Sequence, residues 1–333
     1  MGHFIPGDVA TGRTGASSTV TVEADARLHF GMLDLRGASG RRYGGIGAPA
    51  PGILVRVSAT RARSIEVQGA DAERAAEFSR RFIARHRLDG GARVIVERAI
   101  PSHAGLGSGT QLALSVGRAL ATLYGIETSA ADLARSVGRA RRSAVGTWTF
   151  DRGGFVVEAG RRVDSGDDAP GPLVARLPFP ATWRCVLAVP DAHPGVSGDA
   201  EAQAFASLPT PNAADTDRVA AIVLLTMLPA IVERDIAAFG AALTEVQEIN
   251  GRWFASAQGG TFAPGLSGTL VRRLHEWGAA GVGQSSWGPA VYAVVEGDDR
   301  CADLADRARA LLGPAGVVHA GPFPSTGARV VRG

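Results

Sequence analysis

The amino-acid sequence predicts an α+β fold with two domains, and three observations support this prediction. The chain has 333 residues, which is ample for two buried cores. Short segments such as 18–24 (STVTVEA) and 184–190 (RCVLAVP) show the alternation or the apolar run that is typical of strands. Segments with helical spacing lie among them, without a regular strand–helix–strand repeat. This mixture favours an α+β arrangement over a doubly wound parallel sheet.

The first half of the chain is predicted to start with strands around a long loop. Further strands are predicted at 53–58, 63–68 and 92–97, with an amphipathic helix at 71–88. Between the first two strands, the run RLHFGMLDLRGASGRRYGGIGAPAPG predicts a glycine-rich loop.

Helices are predicted after residue 111. An apolar stripe from Leu112 to Leu123 predicts a helix that Gly125 ends, and Ser129 is a predicted N-cap with Asp132 three residues later. The remaining helices are predicted at 214–232, 235–254, 266–280 and 301–312, and the remaining strands at 153–163, 290–296 and 316–320.

Domain boundaries are predicted from composition. Residues 1–17 are expected to form a flexible leader, because they lack both strand and helix patterns. A stretch rich in proline, aspartate and glycine at 164–180 predicts a boundary between an N-terminal domain, 18–178, and a C-terminal domain, 179–333.

The charged residues exclude several kinds of chemistry. The chain has no lysine, so all 35 basic side chains are arginine, and Schiff-base or lysine-base mechanisms are excluded. Guanidinium groups suit phosphates and carboxylates through paired hydrogen bonds. The net charge of +3, without a long basic run or interleaved aromatic residues, predicts no nucleic-acid partner.

Compartment is predicted from the cysteines and the apolar runs. Cys185 and Cys301 are too few for a disulfide framework or a zinc site, and two inert core thiols are expected. No run of eighteen apolar residues predicts a membrane span, and the N-terminus does not resemble a secretory signal. A cytoplasmic protein is therefore expected.

One glycine-rich loop indicates an anion site. Residues 101–114 read PSHAGLGSGTQLAL, between a predicted strand and a predicted helix. Glycines allow close backbone approach, and the start of a helix presents free N–H groups, so the loop is suited to phosphate. It is not a Walker A loop, because the lysine is absent. A purely structural turn remains the alternative.

The pattern Pro-x-x-x-Gly-Leu-Gly-Ser resembles the phosphate loop of the GHMP kinases. Four longer segments, RLHFGMLDLRGASGRRYGGIG, IPSHAGLGSGTQLALSVGRAL, GRARRSAVGTWTFDRGGFVVEAG and GQSSWGPAVYAV, resemble one branch of that superfamily, the β-ribofuranosylaminobenzene 5′-phosphate synthases. The resemblance covers nearly all of the chain after residue 18. It implies a GHMP-kinase-like fold, with an N-terminal domain like domain 2 of ribosomal protein S5 and a ferredoxin-like C-terminal domain.

The resemblance also implies an activity. This branch transfers ribose from 5-phosphoribosyl 1-pyrophosphate to a ring carbon of an aromatic carboxylate, with release of CO2 and pyrophosphate. The acceptor is expected to be 4-aminobenzoate, or an aminopyrazole dicarboxylate as in the C-glycoside synthases of formycin and pyrazofurin biosynthesis. Mg²⁺ is the implied cofactor, small molecules are the implied partners, and a homodimer is expected.

Two other functions remain open from the sequence. One is an ATP-dependent small-molecule kinase of the GHMP superfamily, although Gly109 stands where those kinases usually carry a second, metal-binding serine. The other is a non-catalytic regulator that binds the sugar pyrophosphate. No predicted DNA-binding helix pair supports the regulator.

The candidate site residues follow from these segments. The predicted phosphate-binding residues are Gly105, Leu106, Gly107, Ser108, Gly109, Thr110, Gln111, Arg27, Arg41 and Arg42, with Ser108 also expected to bind the metal. The predicted substrate-binding residues are His29, Tyr43, Arg139, Arg142, Ser285, Ser286 and Trp287. Asp34 and Asp151 are the predicted catalytic carboxylates, for metal, ribose hydroxyls or the developing oxocarbenium charge, while turn capping is an equal alternative for Asp151. Arg141 belongs to the same cluster as Arg139, for which a solvated helix face is the alternative.

Overall fold

The computed structural model describes residues 19–164, 169–191 and 198–333, so the predicted leader lies outside the described residues. The strands are β1 (Val20–Asp34), β2 (Arg41–Ala62), β3 (Glu66–Gly69), β4 (Gly91–Arg98), β5 (Phe155–Glu158), β6 (Arg161–Arg162), β7 (Leu173–Leu177), β8 (Trp183–Val189), β9 (Gly281–Gln284), β10 (Val291–Glu296), β11 (Val317–Pro322) and β12 (Arg329–Arg332). The helices are α1 (Ala72–His86), α2 (Ser108–Tyr124), α3 (Ala130–Ser136), α4 (Val145–Arg152), α5 (Gly198–Ser207), α6 (Ala213–Ile222), α7 (Leu228–Glu233), α8 (Ile236–Gln258), α9 (Leu266–Glu276) and α10 (Asp298–Leu312). A π-helical turn, Val223–Met227, joins α6 to α7. Within these ranges no helix is long and apolar enough to cross a bilayer.

The first sheet is built on a long hairpin of β1 and β2. Its strands run in the order β12-β1-β2-β4-β3, with β5 and β6 also pairing with β2 and β7 pairing with β5. The loop predicted from RLHFGMLDLRGASGRRYGGIGAPAPG is wrong, because most of that run is strand. Glycine is needed there for close packing: a Cβ on Gly47 would lie 2.2 Å from the carbonyl oxygen of Leu28. Glycine enrichment thus marks tight contact rather than a loop.

Helix α2 covers the inner part of this hairpin. Its apolar stripe is buried against β1 and β2, and Leu112, Val116 and Leu120 are at most 2% exposed. The predicted N-cap of α3 is confirmed, since the Ser129 hydroxyl oxygen accepts a hydrogen bond from the Asp132 N–H at 3.1 Å. Helix α4, which the sequence did not predict, packs beside α2.

The second sheet has the antiparallel order β11-β8-β10-β9. Alternate residues of β8 and β10 face α9 and α10 on one side, in a cluster that includes Val186 and Ala293. The other face shares a core with the first sheet, where the rings of Phe30 and Tyr292 lie 4.8 Å apart. The chain changes sheet between β7 and β8, but β12 returns to pair with β1 in the first sheet. The overall architecture is the α+β class that the sequence predicted.

Candidate active site

A cavity of about 400 Å³ opens between the N-terminal part of the fold and helix α8. Its lining combines four arginines, four aromatic residues and four side-chain amides. These are Arg27, Arg139, Arg141 and Arg142; Phe205, Phe254, Phe262 and Trp287; and Gln247, Asn250, Gln258 and Gln284. His29, Thr110, Thr261, Ser143 and Ser286 complete the polar lining. No carboxylate occurs among the described lining residues, so the cavity suits an anionic ligand that also presents an apolar surface.

Strand β1 delivers two of these side chains through a local irregularity. The pairing of β1 with β2 shifts between Asp25 and Arg27 and again between His29 and Gly31. A β-bulge changes the direction in which nearby side chains point, and here one irregularity lies on each side of the segment 27–29. Residues two apart on a strand share a face, so Arg27 and His29 both reach the cavity while Leu28 is buried in the core.

The glycine-rich loop forms the N-terminal end of α2. The N–H groups of Thr110 and Gln111 donate to the Gly107 carbonyl at 2.9 and 3.0 Å. The N–H groups of Ser108 and Gly109, in the first turn, have no acceptor within the helix by its geometry. Arg27 crosses this end and donates from Nη1 to the Gly105 carbonyl at 2.6 Å. A helix N-terminus and a guanidinium therefore meet at one place, which favours a phosphate.

Gly109 makes room for a second guanidinium. A Cβ on this residue would lie 2.4 Å from Nη2 of Arg139, so only glycine admits the observed packing. The Arg139 guanidinium also lies over the ring of Phe78, with Cζ 5.0 Å from the ring centroid. Gly109, which replaces the second serine usual in GHMP kinases, thus lies next to the guanidinium of Arg139 at the start of α2.

The second glycine-rich stretch joins the two halves of the site. The Ser285 hydroxyl donates to the Gly105 carbonyl at 2.7 Å and accepts from the His29 N–H at 3.0 Å, so Ser285 links the loop to β1 rather than lining the cavity. Ser286 lines the cavity. Trp287 forms its aromatic wall with Phe254, their ring centroids lying 5.0 Å apart.

Amides from α8 are site residues that the sequence interpretation missed. Gln247 donates to the Phe30 carbonyl at 2.7 Å, and Asn250 accepts from the Met32 N–H at 2.6 Å. These bonds hold α8 against β1. The available signal was the pair of amides, three residues apart, on the same helical face as the apolar Leu243 and Val246.

Several predicted residues lie outside the cavity lining. Arg41 donates to the Gly160 carbonyl at 2.9 Å, and Arg42 donates to the Leu35 carbonyl at 3.0 Å. Asp34 caps a turn by accepting from the N–H groups of Arg36 and Gly37. The roles predicted for Arg41, Arg42 and Asp34 stay predictions.

Some other predicted residues do not line the cavity either. Tyr43 packs edge-on against Phe205 at 6.0 Å. Leu106 and Gln111 are buried, and Ser108 is 9% exposed without lining the cavity. Asp151 lies beside a separate depression with Arg118 and pairs with Arg152 at 2.7 Å. Its predicted catalytic role also stays a prediction.

The residues around the cavity do not fit a resident Mg²⁺ ion. Protein-bound Mg²⁺ is usually held by one or two carboxylates, whereas the described lining residues supply guanidinium, amide and hydroxyl groups. No cluster of three or more metal-ligating side chains occurs in the described ranges. The space beside Gly109, next to the hydroxyl expected to bind metal, holds the cationic Arg139.

Glu158 is a second feature that the sequence interpretation missed. Its carboxylate is fully buried at the end of β5, with Oε1 accepting from the Ala144 N–H at 3.0 Å and Oε2 from the Gly160 N–H at 2.8 Å. Burial raises the pKa of Glu158 to about 7, and the hydrogen bonds only partly oppose this shift. The sequence signal was a lone acidic residue ending the apolar run FVVE.

This pKa predicts how stability depends on pH. Between pH 4.5 and about 7 the folded protein keeps a proton on Glu158 that the unfolded chain has released. The free energy of unfolding should therefore fall as pH rises through this window, by a total on the order of 3 kcal/mol from this group, and level off above it. Urea unfolding at several pH values should show that Glu158→Gln lacks this part of the slope. Parallel curves for the two proteins would contradict the assignment.

Family models match both halves of the chain. A model described as "GHMP kinases N terminal domain" matches residues 72–151, and one described as "GHMP kinases C terminal" matches residues 227–313. A protein of Methanothermobacter thermautotrophicus named "Beta-ribofuranosylphenol 5'-phosphate synthase" is 32% identical over 319 residues, covering 90% of this chain and 95% of that protein. The chain belongs to this synthase family. The family predicted from the four segments is confirmed, although the relatives are named for a phenol rather than an aminobenzene.

Further comparisons agree with the fold and the family. A protein of the same name from Archaeoglobus fulgidus is 33% identical over 282 residues, covering 81% of this chain and 86% of that protein. The homoserine kinase of Cytophaga hutchinsonii superposes with a TM-score of 0.71 at 16% identity, covering 97% of this chain and 100% of that chain. The mevalonate diphosphate decarboxylase of Staphylococcus aureus gives 0.65 at 14% identity, covering 95% and 98%. The likeness to these two enzymes shows the GHMP kinase fold alone.

Proposed function

We propose that this protein transfers ribose 5-phosphate from 5-phosphoribosyl 1-pyrophosphate to a ring carbon of an aromatic carboxylate, with loss of CO2 and pyrophosphate. The observation that carries the proposal is a cavity with four arginines, an aromatic wall and no carboxylate among its described lining residues. Both substrates are anions, and one of them is an aromatic ring. The name shared by relatives that match most of the chain supports the same reaction.

The site chemistry accounts for the departure of pyrophosphate. When the C1–oxygen bond of the ribose breaks, positive charge develops on the sugar and negative charge on the leaving group. The N-terminal end of α2 and the guanidinium groups of Arg27 and Arg139 stabilise that negative charge with fixed dipoles and charges. We place Mg²⁺ with the pyrophosphate, as part of the substrate, because the lining residues do not fit a resident ion.

The acceptor then forms a carbon–carbon bond without a strong base. The ring carbon that bears the carboxylate attacks C1, and the electrons of the carbon–carboxylate bond return to the ring as CO2 leaves. No ring proton has to be removed, so the absence of lysine from the chain is no obstacle. Trp287 and its aromatic neighbours provide the apolar wall for the ring.

One incubation tests the proposal. Purified protein with 5-phosphoribosyl 1-pyrophosphate and carboxyl-labelled 4-hydroxybenzoate, 4-aminobenzoate or an aminopyrazole dicarboxylate should release labelled CO2 and pyrophosphate in equal amounts. Mass spectrometry should find a product that keeps the 5-phosphate and resists acid hydrolysis. The same acids are included without the sugar as controls. ATP-dependent formation of ADP and a phosphorylated acceptor, without CO2, would instead restore the kinase alternative.

A further inference from the structure

His29 presents one ring nitrogen to a half-buried serine. His29 is 6% exposed and lines the cavity, and its Nε2 lies 3.0 Å from the hydroxyl oxygen of Ser143. The partners are 114 residues apart in the chain. Nδ1 makes no hydrogen bond to any residue that the structure describes.

The bonds of Ser143 decide which nitrogen of His29 carries the proton. The Ser143 hydroxyl donates to the carboxylate of Glu158, and its oxygen accepts from the Val145 N–H at 3.2 Å. A hydroxyl has one proton, and here that proton forms the hydrogen bond to Glu158. His29 must therefore donate from Nε2, which leaves a lone pair on Nδ1.

Above a pH of about 7, where Glu158 is ionised, its carboxylate can only accept hydrogen bonds. Backbone N–H groups of Ala144 and Gly160 donate to its two oxygens, and Ser143 is the third donor. The carboxylate also anchors the start of α4, directly after the arginines of residues 139–142. An amide of equal volume in this place would replace one of the accepting oxygens with a donor that faces either the Ala144 N–H or the Gly160 N–H.

We propose that Glu158 and Ser143 are positioning residues that hold His29 in its Nε2–H form, so that Nδ1 accepts a hydrogen bond from an O–H or N–H group of a bound substrate. The arginines of the cavity can only donate, so an acceptor for a neutral donor has to come from elsewhere in the lining. The inference rests on the proposed function for the identity of the substrates. The donor is either the hydroxyl or amino group of the aromatic ring or a hydroxyl of the ribose.

The charge state of His29 supports this role. Burial, together with the neighbouring Arg27, lowers the pKa of His29 to about 3. The imidazole therefore remains neutral at physiological pH and keeps its lone pair. A cationic imidazole could not accept a hydrogen bond from the substrate.

The tautomer itself can be measured without turnover. Long-range ¹H–¹⁵N correlation spectra of histidine-labelled protein at pH 8, where Glu158 is ionised, should show one neutral ring protonated on Nε2 whose signals disappear in His29→Asn. In Ser143→Ala this ring should show both tautomers. A wild-type ring protonated on Nδ1 would overturn the proposal.

Substrate binding gives the second measurement. His29→Phe should weaken binding of one substrate about two- to tenfold, as expected for one neutral hydrogen bond, and His29→Asn, with an amide oxygen near the former Nδ1, should recover part of it. If the ring is the donor, wild-type protein should prefer 4-hydroxybenzoate to 4-methoxybenzoate and His29→Phe should not. If the ribose is the donor, only the affinity for 5-phosphoribosyl 1-pyrophosphate should fall.

A matched control exists elsewhere in the fold. His86 bonds through Nε2 to the Ser136 hydroxyl at 3.0 Å, and Ser136 donates to the Asp132 carbonyl at 2.8 Å, away from the cavity. Ser136→Ala should leave both substrate affinities unchanged. Wild-type affinities in His29→Phe would overturn the inference, whereas normal binding without CO2 release would count only against the proposed function.

Discussion

Gly107→Ala is expected to weaken binding of 5-phosphoribosyl 1-pyrophosphate about tenfold to hundredfold, the loss typical of a charge-assisted contact. Gly107 is the N-cap of α2 at φ +72°, and a Cβ there would lie 2.7 Å from Cγ of Arg27. The substitution therefore strains the backbone and displaces a guanidinium from the same phosphate site. Calorimetric titration with the sugar pyrophosphate measures the effect.

Gly125→Ala is the matched control for this variant. Gly125 caps the other end of the same helix at φ +68°, and a Cβ added there would meet no neighbouring atom within 4 Å. Both variants should lose roughly 1–2 kcal/mol of stability from the left-handed backbone conformation. Only Gly107→Ala should lose affinity; equal affinities in the two variants would show that Arg27 and the loop do not hold the phosphates.

Gly109→Ala is expected to separate stability from binding. Gly109 lies inside the first turn of α2, where alanine is favoured over glycine by roughly 0.5–1 kcal/mol. Its Cβ would lie 2.4 Å from Nη2 of Arg139, the far end of a flexible side chain that can move away. The variant should therefore be at least as stable as the wild type, while its affinity for the sugar pyrophosphate falls about tenfold or more.

A double-mutant cycle tests whether the loss arises from Arg139. If Gly109→Ala acts by displacing that guanidinium, adding it to Arg139→Ala should cause little further loss of affinity. Additive losses would indicate that alanine disturbs the N-terminus of α2 directly. Chemical unfolding of all three variants provides the stability comparison.

Local patterns explain what the sequence could predict correctly. The α+β class, the N-cap Ser129, the helix after the glycine-rich loop and the synthase family all depend on residues close together in the chain or on extended matching segments. The glycine-rich run before Gly52 misled the interpretation, because glycine there permits close strand packing in β2 rather than a loop. Composition alone does not distinguish these two uses of glycine.

The sequence by itself determined the family, a glycine-rich loop before a helix and a chain without lysine, and these restrict the cationic groups to arginine and backbone dipoles. Only the tertiary structure decided which residues meet at the cavity. Arg27 reaches Gly105 across 78 positions and His29 reaches Ser143 across 114 positions, while Asp34 turns away into a local cap. The physical reason is that bulges, close glycine contacts and hydrogen bonds to a buried carboxylate depend on the packing of distant segments, which leaves no periodic trace in the sequence.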